Sequence, residues 1–186
     1  MMKLGRRSFL TQGLIGGALL VVGGSTGLAL RRTRLRYKPS KPLKFLTEEE
    51  FNIFSAVADR IIPGSDNHPS ASELQVGEKA DAVMARGEPV ARGEFKQLLG
   101  LFDNALASLL FDFRITPFTQ LEPEAQDEAI ERWQGSRIVL RRTGYQALKR
   151  LTCACYYASP ESWPSIGYEA QYELAKQVDT AQAVTP

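Results

Sequence analysis

The sequence predicts an all-α fold: a single small helical domain of about five to six helices, preceded by an N-terminal signal or transmembrane helix. Three observations predict it. Apolar residues recur three and four positions apart through much of the chain beyond Leu46, as they must on a helix with one buried face. Helix-start signatures stand directly before these runs. No period-two run bounded by hairpin turns occurs.

The chain of 186 residues divides into an export or anchor segment at 1–30, a basic linker containing prolines at 31–44, and the helical domain at 45–180. Residues 6–30 read RRSFLTQGLIGGALLVVGGSTGLAL. Arg6 and Arg7, followed after one residue by Phe9 and Leu10 and then by a long apolar, glycine-rich run, fit a twin-arginine export signal. The run from Ser8 to Leu30 is also about long enough to span a bilayer as a helix, and the two readings are compatible if the leader is retained. Arg31, Arg32, Arg34, Arg36 and Lys38 follow at once, charges that the positive-inside tendency would not place on the far side of the membrane, so the leader can be retained as an anchor. Cleavage near Ala29 stays open.

Beyond the linker, roughly 140 residues remain, enough for one domain with a core. Leu46 to Phe51 reads as a helix start: Thr47 caps, Glu50 completes the capping box, and Leu46 staples onto Phe51. Phe51, Phe54, Val57, Ala58 and Ile61 share a face before Pro63-Gly64 ends the helix. A second start lies at Ser70-Ala71-Ser72-Glu73. The longest periodic stretch, Phe95, Leu98, Leu99, Phe102, Ala105, Leu106, Leu109, Leu110 and Phe113, predicts one helix of nearly five turns as the spine of the core. Pro123 suits the first turn of the next helix, which carries Ala129, Ile130 and Trp133 before Gly135. A further helix is expected from about Ser136 to Ala158, and a last short one from near Glu169.

Chemistry is sparse. The net charge is +2, with no basic stripe of interleaved aromatics, so nothing points to nucleic acid. The paired glycines Gly16-Gly17 and Gly23-Gly24 fall inside the leader and form no phosphate cradle between strand and helix. His68 is the only histidine; in the loop SDNHPS, with no nucleophile elbow to accompany it, it reads as a turn residue. The run Glu48-Glu49-Glu50 is explained by capping and the helix dipole. No haem attachment motif is present. The sequence therefore predicts no catalytic, cofactor or metal residues in this chain.

Cys153 and Cys155 are the only cysteines. Two thiols do not fill a four-ligand metal shell, and two residues apart on a helix they point to nearly opposite sides. They are either small core side chains or, in an oxidising compartment, a bond to another chain's cysteine. Around them Arg137, Arg141, Arg142, Lys149 and Arg150 form either a solvated face or a docking surface for an acidic partner. Tyr156, Tyr157, Trp163 and Tyr168 cluster in a segment rich in proline and serine. That segment is either a partner interface or a flap folded back on the domain.

The stretches LTEEEFNIFSAVADRIIPGSDNHPSASE, LEPEAQDEAIERW and YYASPESWPSIGY resemble the gluconate 2-dehydrogenase subunit 3 family, the small subunits of membrane-associated flavin-dependent sugar and alcohol dehydrogenases. The resemblance spans about residues 45 to 170. It implies a non-catalytic small subunit that binds a large flavoprotein of the glucose-methanol-choline type, with FAD in that partner. It further implies that the pair crosses the membrane through the twin-arginine translocase on this one leader, and that a cytochrome c subunit can join the complex. The expected location is the periplasm, anchored in the inner membrane if the leader is uncleaved. The interface is expected at Cys153, Cys155, Tyr156, Tyr157, Pro160, Trp163, Gly167 and Tyr168. The alternative is a membrane-anchored structural or electron-transfer adaptor with no part in export.

Overall fold

The computed structural model describes residues 33–104 and 116–168. Among them are five α-helices and no strand: α1 Glu48–Ile61, α2 Val76–Ala85, α3 Pro89–Asp103, α4 Pro123–Gln134 and α5 Val139–Tyr157. Three single 3₁₀ turns accompany them, at Phe118–Gln120, Pro160–Ser162 and Pro164–Ile166. The all-α prediction holds. Arg6, Arg7, Phe9 and Leu10 of the leader, the residues from Ala105 to Phe113, and the helix expected near Glu169 lie outside the described residues.

α1 begins where the capping signature places it. The Glu50 N–H donates to the Thr47 hydroxyl at 3.1 Å, and the Thr47 N–H donates to the Glu50 carboxylate at 2.9 Å. Leu46 and Phe51 are both buried in one apolar cluster, as the staple requires. Every residue from Phe51 to Ala58 is buried, so this helix is enclosed on all sides rather than on one face. It packs against α2, α3, α4 and α5 alike.

The spine of the core is therefore α1, which corrects the expectation built on the longer run from Phe95. That run does not form one helix of nearly five turns. α3 ends at Asp103, and Asn104 turns to extended backbone with φ −75° and ψ 118°. Periodicity reports which face would be buried; it does not report a carboxylate that anchors elsewhere. The Asp103 carboxylate accepts the Thr119 N–H at 2.8 Å, the Thr119 hydroxyl at 2.9 Å and the Thr33 hydroxyl at 2.8 Å. Phe102, one residue before, meets Phe118 at a ring-centroid distance of 4.8 Å and Trp133 at 4.4 Å, which binds α3 to the 3₁₀ turn and to α4.

The second predicted start also divides. Ser70 and Glu73 form their reciprocal bonds, at 2.6 Å from the Ser70 N–H and 3.2 Å from the Glu73 N–H. The turn they cap stops at Gln75, which is left-handed at φ 54°, and α2 begins afresh at Val76. The loop before it closes through paired backbone bonds between Ser65 and His68, so His68 is a turn residue as read.

Candidate functional site

Residues 33–46, of which 33–44 are expected as a linker, lie along the domain and are held by side chains of α1, α2 and α3. The Asp81 carboxylate accepts three successive backbone N–H groups, from Lys44 at 2.7 Å, Phe45 at 2.9 Å and Leu46 at 2.7 Å. Asn52 accepts the Tyr37 N–H at 2.6 Å and returns a bond to the Tyr37 carbonyl at 2.9 Å. Glu78 takes both the N–H and the hydroxyl of Ser40. Phe45 lies under two cations, Arg92 at 4.6 Å and Lys96 at 4.5 Å from its ring centre. Between this strap and the start of α4, a cavity of about 30 Å³ is lined by Arg34, Tyr37, Thr119 and Gln126 among others. It has room for about one water molecule.

The aromatic motif lies at the far end of α5. One helical stripe, Arg141, Gly144, Tyr145, Leu148, Thr152, Cys155 and Tyr156, is buried; its spacing of three and four is that of a core face. Two of the expected interface residues fall on that stripe and leave the surface. Tyr156 is 2% exposed, and its hydroxyl donates to the Pro69 carbonyl at 2.8 Å, which ties the end of α5 to the loop before α2. Cys155 is buried too, while Cys153, two positions back on the other side, is half-buried. Both are free thiols. Burial pushes the Cys155 thiol up to about 11, against the opposing pull of Lys79.

The surface keeps the other members. Tyr157 is 43% exposed and Tyr168 51% exposed, and between them Ile166, which the sequence did not single out, is 48% exposed. The chain reaches Tyr168 through two 3₁₀ turns, each opened by a proline, Pro160 and Pro164. The Trp163 indole N–H donates back to the Tyr157 carbonyl at 2.9 Å. Gly167 takes φ 82°, a left-handed conformation that costs glycine little, and lets the Tyr168 N–H return to the Trp163 carbonyl at 3.0 Å. The segment is therefore fixed by its own hydrogen bonds, which limits the ordering entropy lost on contact with a partner.

A residue absent from the sequence reading locks this end in place. Lys79 of α2 donates through Nζ to the Ser159 hydroxyl. Ser159 is 2% exposed; its N–H donates to the Tyr156 carbonyl at 3.0 Å, and its carbonyl accepts the Ser162 hydroxyl at 2.7 Å. A serine so enclosed and so tied does not offer its oxygen to a substrate; it sets the course of the chain after α5. One sequence signal could have found the pair: a lysine inside an apolar helix pattern needs a partner for its ammonium group. On the basic face, Arg137, Arg142, Lys149 and Arg150 are exposed. Arg141 instead is buried, its guanidinium 5.3 Å from the centre of the Trp133 ring. Among the described residues no cluster of three or more His, Cys, Asp or Glu is placed to hold a metal, and no helix is long and apolar enough to cross a membrane.

Among the described residues, five helices with a pinned N-terminal strap and a partly apolar end define a small all-helical domain. The chain belongs to the gluconate 2-dehydrogenase subunit 3 family, whose sequence profile matches residues 48–175. It is accordingly a subunit type of a multi-subunit dehydrogenase complex. No curated protein and no solved structure matches it.

Proposed function

We propose that this chain is the non-catalytic small subunit of a periplasmic flavin-dependent dehydrogenase, and that it binds the large subunit through the end of α5 and escorts it through twin-arginine export. The observation that carries the reading is the placement of Tyr157, Ile166 and Tyr168. Three large side chains, each between 43% and 51% exposed, sit on one short self-bonded segment. Tyrosines on a preorganised surface favour a protein partner, because they bring large contact area with few rotors to freeze. Cys153 borders this segment and is the thiol within reach of a partner's cysteine; Pro160, Trp163 and Gly167 shape it.

The export half of the proposal rests on Arg6, Arg7, Phe9, Leu10 and the apolar run that follows. The large subunit is a flavoprotein of the glucose-methanol-choline type that carries FAD, a cytochrome c subunit can join the complex, and the translocase reads this chain's leader. A cofactor loaded in the cytoplasm accounts for an export route that moves folded proteins, and that cofactor belongs to the partner.

Replacing Arg6-Arg7 by Lys-Lys tests the escort role. Lysine keeps the charge and loses the planar, multi-donor guanidinium, so the leader fails while the domain folds. Cell fractionation followed by dye-reduction assays should then find dehydrogenase activity trapped in the cytoplasm with the small subunit bound to it. Full periplasmic activity would contradict the escort and favour the adaptor.

A further inference from the structure

We infer that the strap of residues 33–46 is a membrane-facing surface that lays the domain on a bilayer rich in anionic headgroups. The inference comes from the way the strap is gripped. Its backbone turns inward: the N–H groups of Arg34, Tyr37, Ser40, Lys44, Phe45 and Leu46 all donate to side chains of the domain or of the Phe118–Gln120 turn, namely Thr119, Asn52, Glu78 and Asp81. Its cations turn outward. Arg34, Arg36, Lys38, Lys41 and Lys44 are all exposed, and none of them makes an ion pair among the described residues.

The strap itself carries no acidic residue from Arg31 to Leu46. Three carboxylates that touch the strap, Asp81, Glu78 and Asp103, are occupied as acceptors for its own N–H and hydroxyl groups; Asp59 lies against the Tyr37 side chain, and Glu122 shares a cavity lining with Arg34 and Arg36. Among the cations stands Leu35, 56% exposed, an apolar side chain of the kind that enters a headgroup region beside basic neighbours. A pinned backbone fixes where these charges leave the domain, so they are presented without the loss of chain entropy that a loose tail would suffer.

A basic strap could meet an acidic protein or a lipid surface. The chemistry of its neighbour decides between them. The apolar run that ends at Leu30 stands two residues before the start of the strap, so any bilayer that takes up the run brings its headgroups against the strap. Juxtamembrane cations contribute about fivefold each to the partition onto anionic lipid, and this attraction falls away with salt.

The test uses the full chain and sedimentation with vesicles of phosphatidylcholine alone or mixed three to one with phosphatidylglycerol. The leader binds both; the strap binds the second. The wild type should therefore prefer the mixed vesicles, and the preference should fall at least tenfold between low and high salt. Arg36→Gln, Lys38→Gln, Lys41→Gln and Lys44→Gln together should reduce it at least tenfold, with the helical circular dichroism kept, because the strap's anchoring bonds run through its backbone. A matched set on α5, Arg137→Gln, Arg142→Gln, Lys149→Gln and Arg150→Gln, should leave most of it. The inference is overturned if the wild type shows no salt-sensitive preference, if the two sets cost the same, or if the strap set costs nothing. It is equally overturned if the strap set leaves lipid binding intact and instead releases an acidic protein partner.

Discussion

Cys153 and Cys155 are two residues apart and sit in different media. The first is half-buried at the margin of the Tyr157 to Tyr168 surface, and the second faces the core near Lys79. With its thiol raised to about 11 by burial, Cys155 holds almost no thiolate at pH 8, and the thiolate is the reactive form. Iodoacetamide on the native chain should label Cys153 alone, with Cys155 following only in denaturant; mass spectrometry of tryptic peptides reads the order, and equal rates would contradict the burial. Asp103 gives a second prediction. Burial raises its carboxyl above the ordinary aspartate value, only partly opposed by the Thr119 and Thr33 bonds. A raised folded value means that its stabilising contribution is complete below the unfolded pKa of about 3.9 and is lost as pH rises through the folded value. The melting temperature of the wild type should thus gain on that of Asp103→Asn as pH falls from 7 toward 4. A difference independent of pH would show that Asp103 is not shifted.

At the scale of elements, α2 is the fastener. Within one turn and a half Glu78 and Asp81 grip the strap and Lys79 holds the end of α5. Asp81→Ala leaves three N–H groups without their carboxylate, one of them buried, and should lower stability by about 3 kcal/mol in urea unfolding. It should also open Lys41 and Lys44 to trypsin. Close approach matters here as well: a methyl at Gly77 would lie 2.5 Å from the Ser55 hydroxyl and 2.8 Å from the Phe51 ring. Both neighbours are buried, so Gly77→Ala should cost about 1–3 kcal/mol of overpacking, against a helix-propensity gain of at most about 1 kcal/mol. An unchanged urea midpoint would mean that α1 and α2 can move apart.

Much of this layer was legible in the sequence. The capping box at Thr47 and Glu50, the staple, the proline start of α4, and the close of α5 near Ala158 follow from local rules that act within a few residues. What was illegible depends on partners far along the chain. Asp81 meets residues 44–46 across about 35 positions of sequence, Lys79 meets Ser159 across 80, and Asp103 ends a helix that its apolar pattern would have prolonged. Tyr156 shows the same limit in reverse. Its neighbours Ser159 and Pro160 suggested an irregular, exposed segment, yet its own position, four residues after Thr152 and eight after Leu148 on the buried stripe, carries it into the core.

On the scale of the whole molecule, two surfaces of the described domain differ in kind. One carries outward cations behind an apolar leader; the other carries tyrosines and an isoleucine on a self-bonded turn. Such a division suits a subunit that touches two different things, and the proposed large subunit belongs at the tyrosine surface. Affinity purification of the tagged small subunit, co-expressed with the proposed flavoprotein subunit, tests that claim most directly through the flavin absorbance of the eluate. The wild type should elute with flavin, and Tyr157→Ala with Ile166→Ala and Tyr168→Ala should lose at least tenfold of it, since hot-spot aromatics carry about 2 kcal/mol or more each, while the helical circular dichroism stays unchanged. An eluate equally rich in flavin from the triple variant would contradict the account.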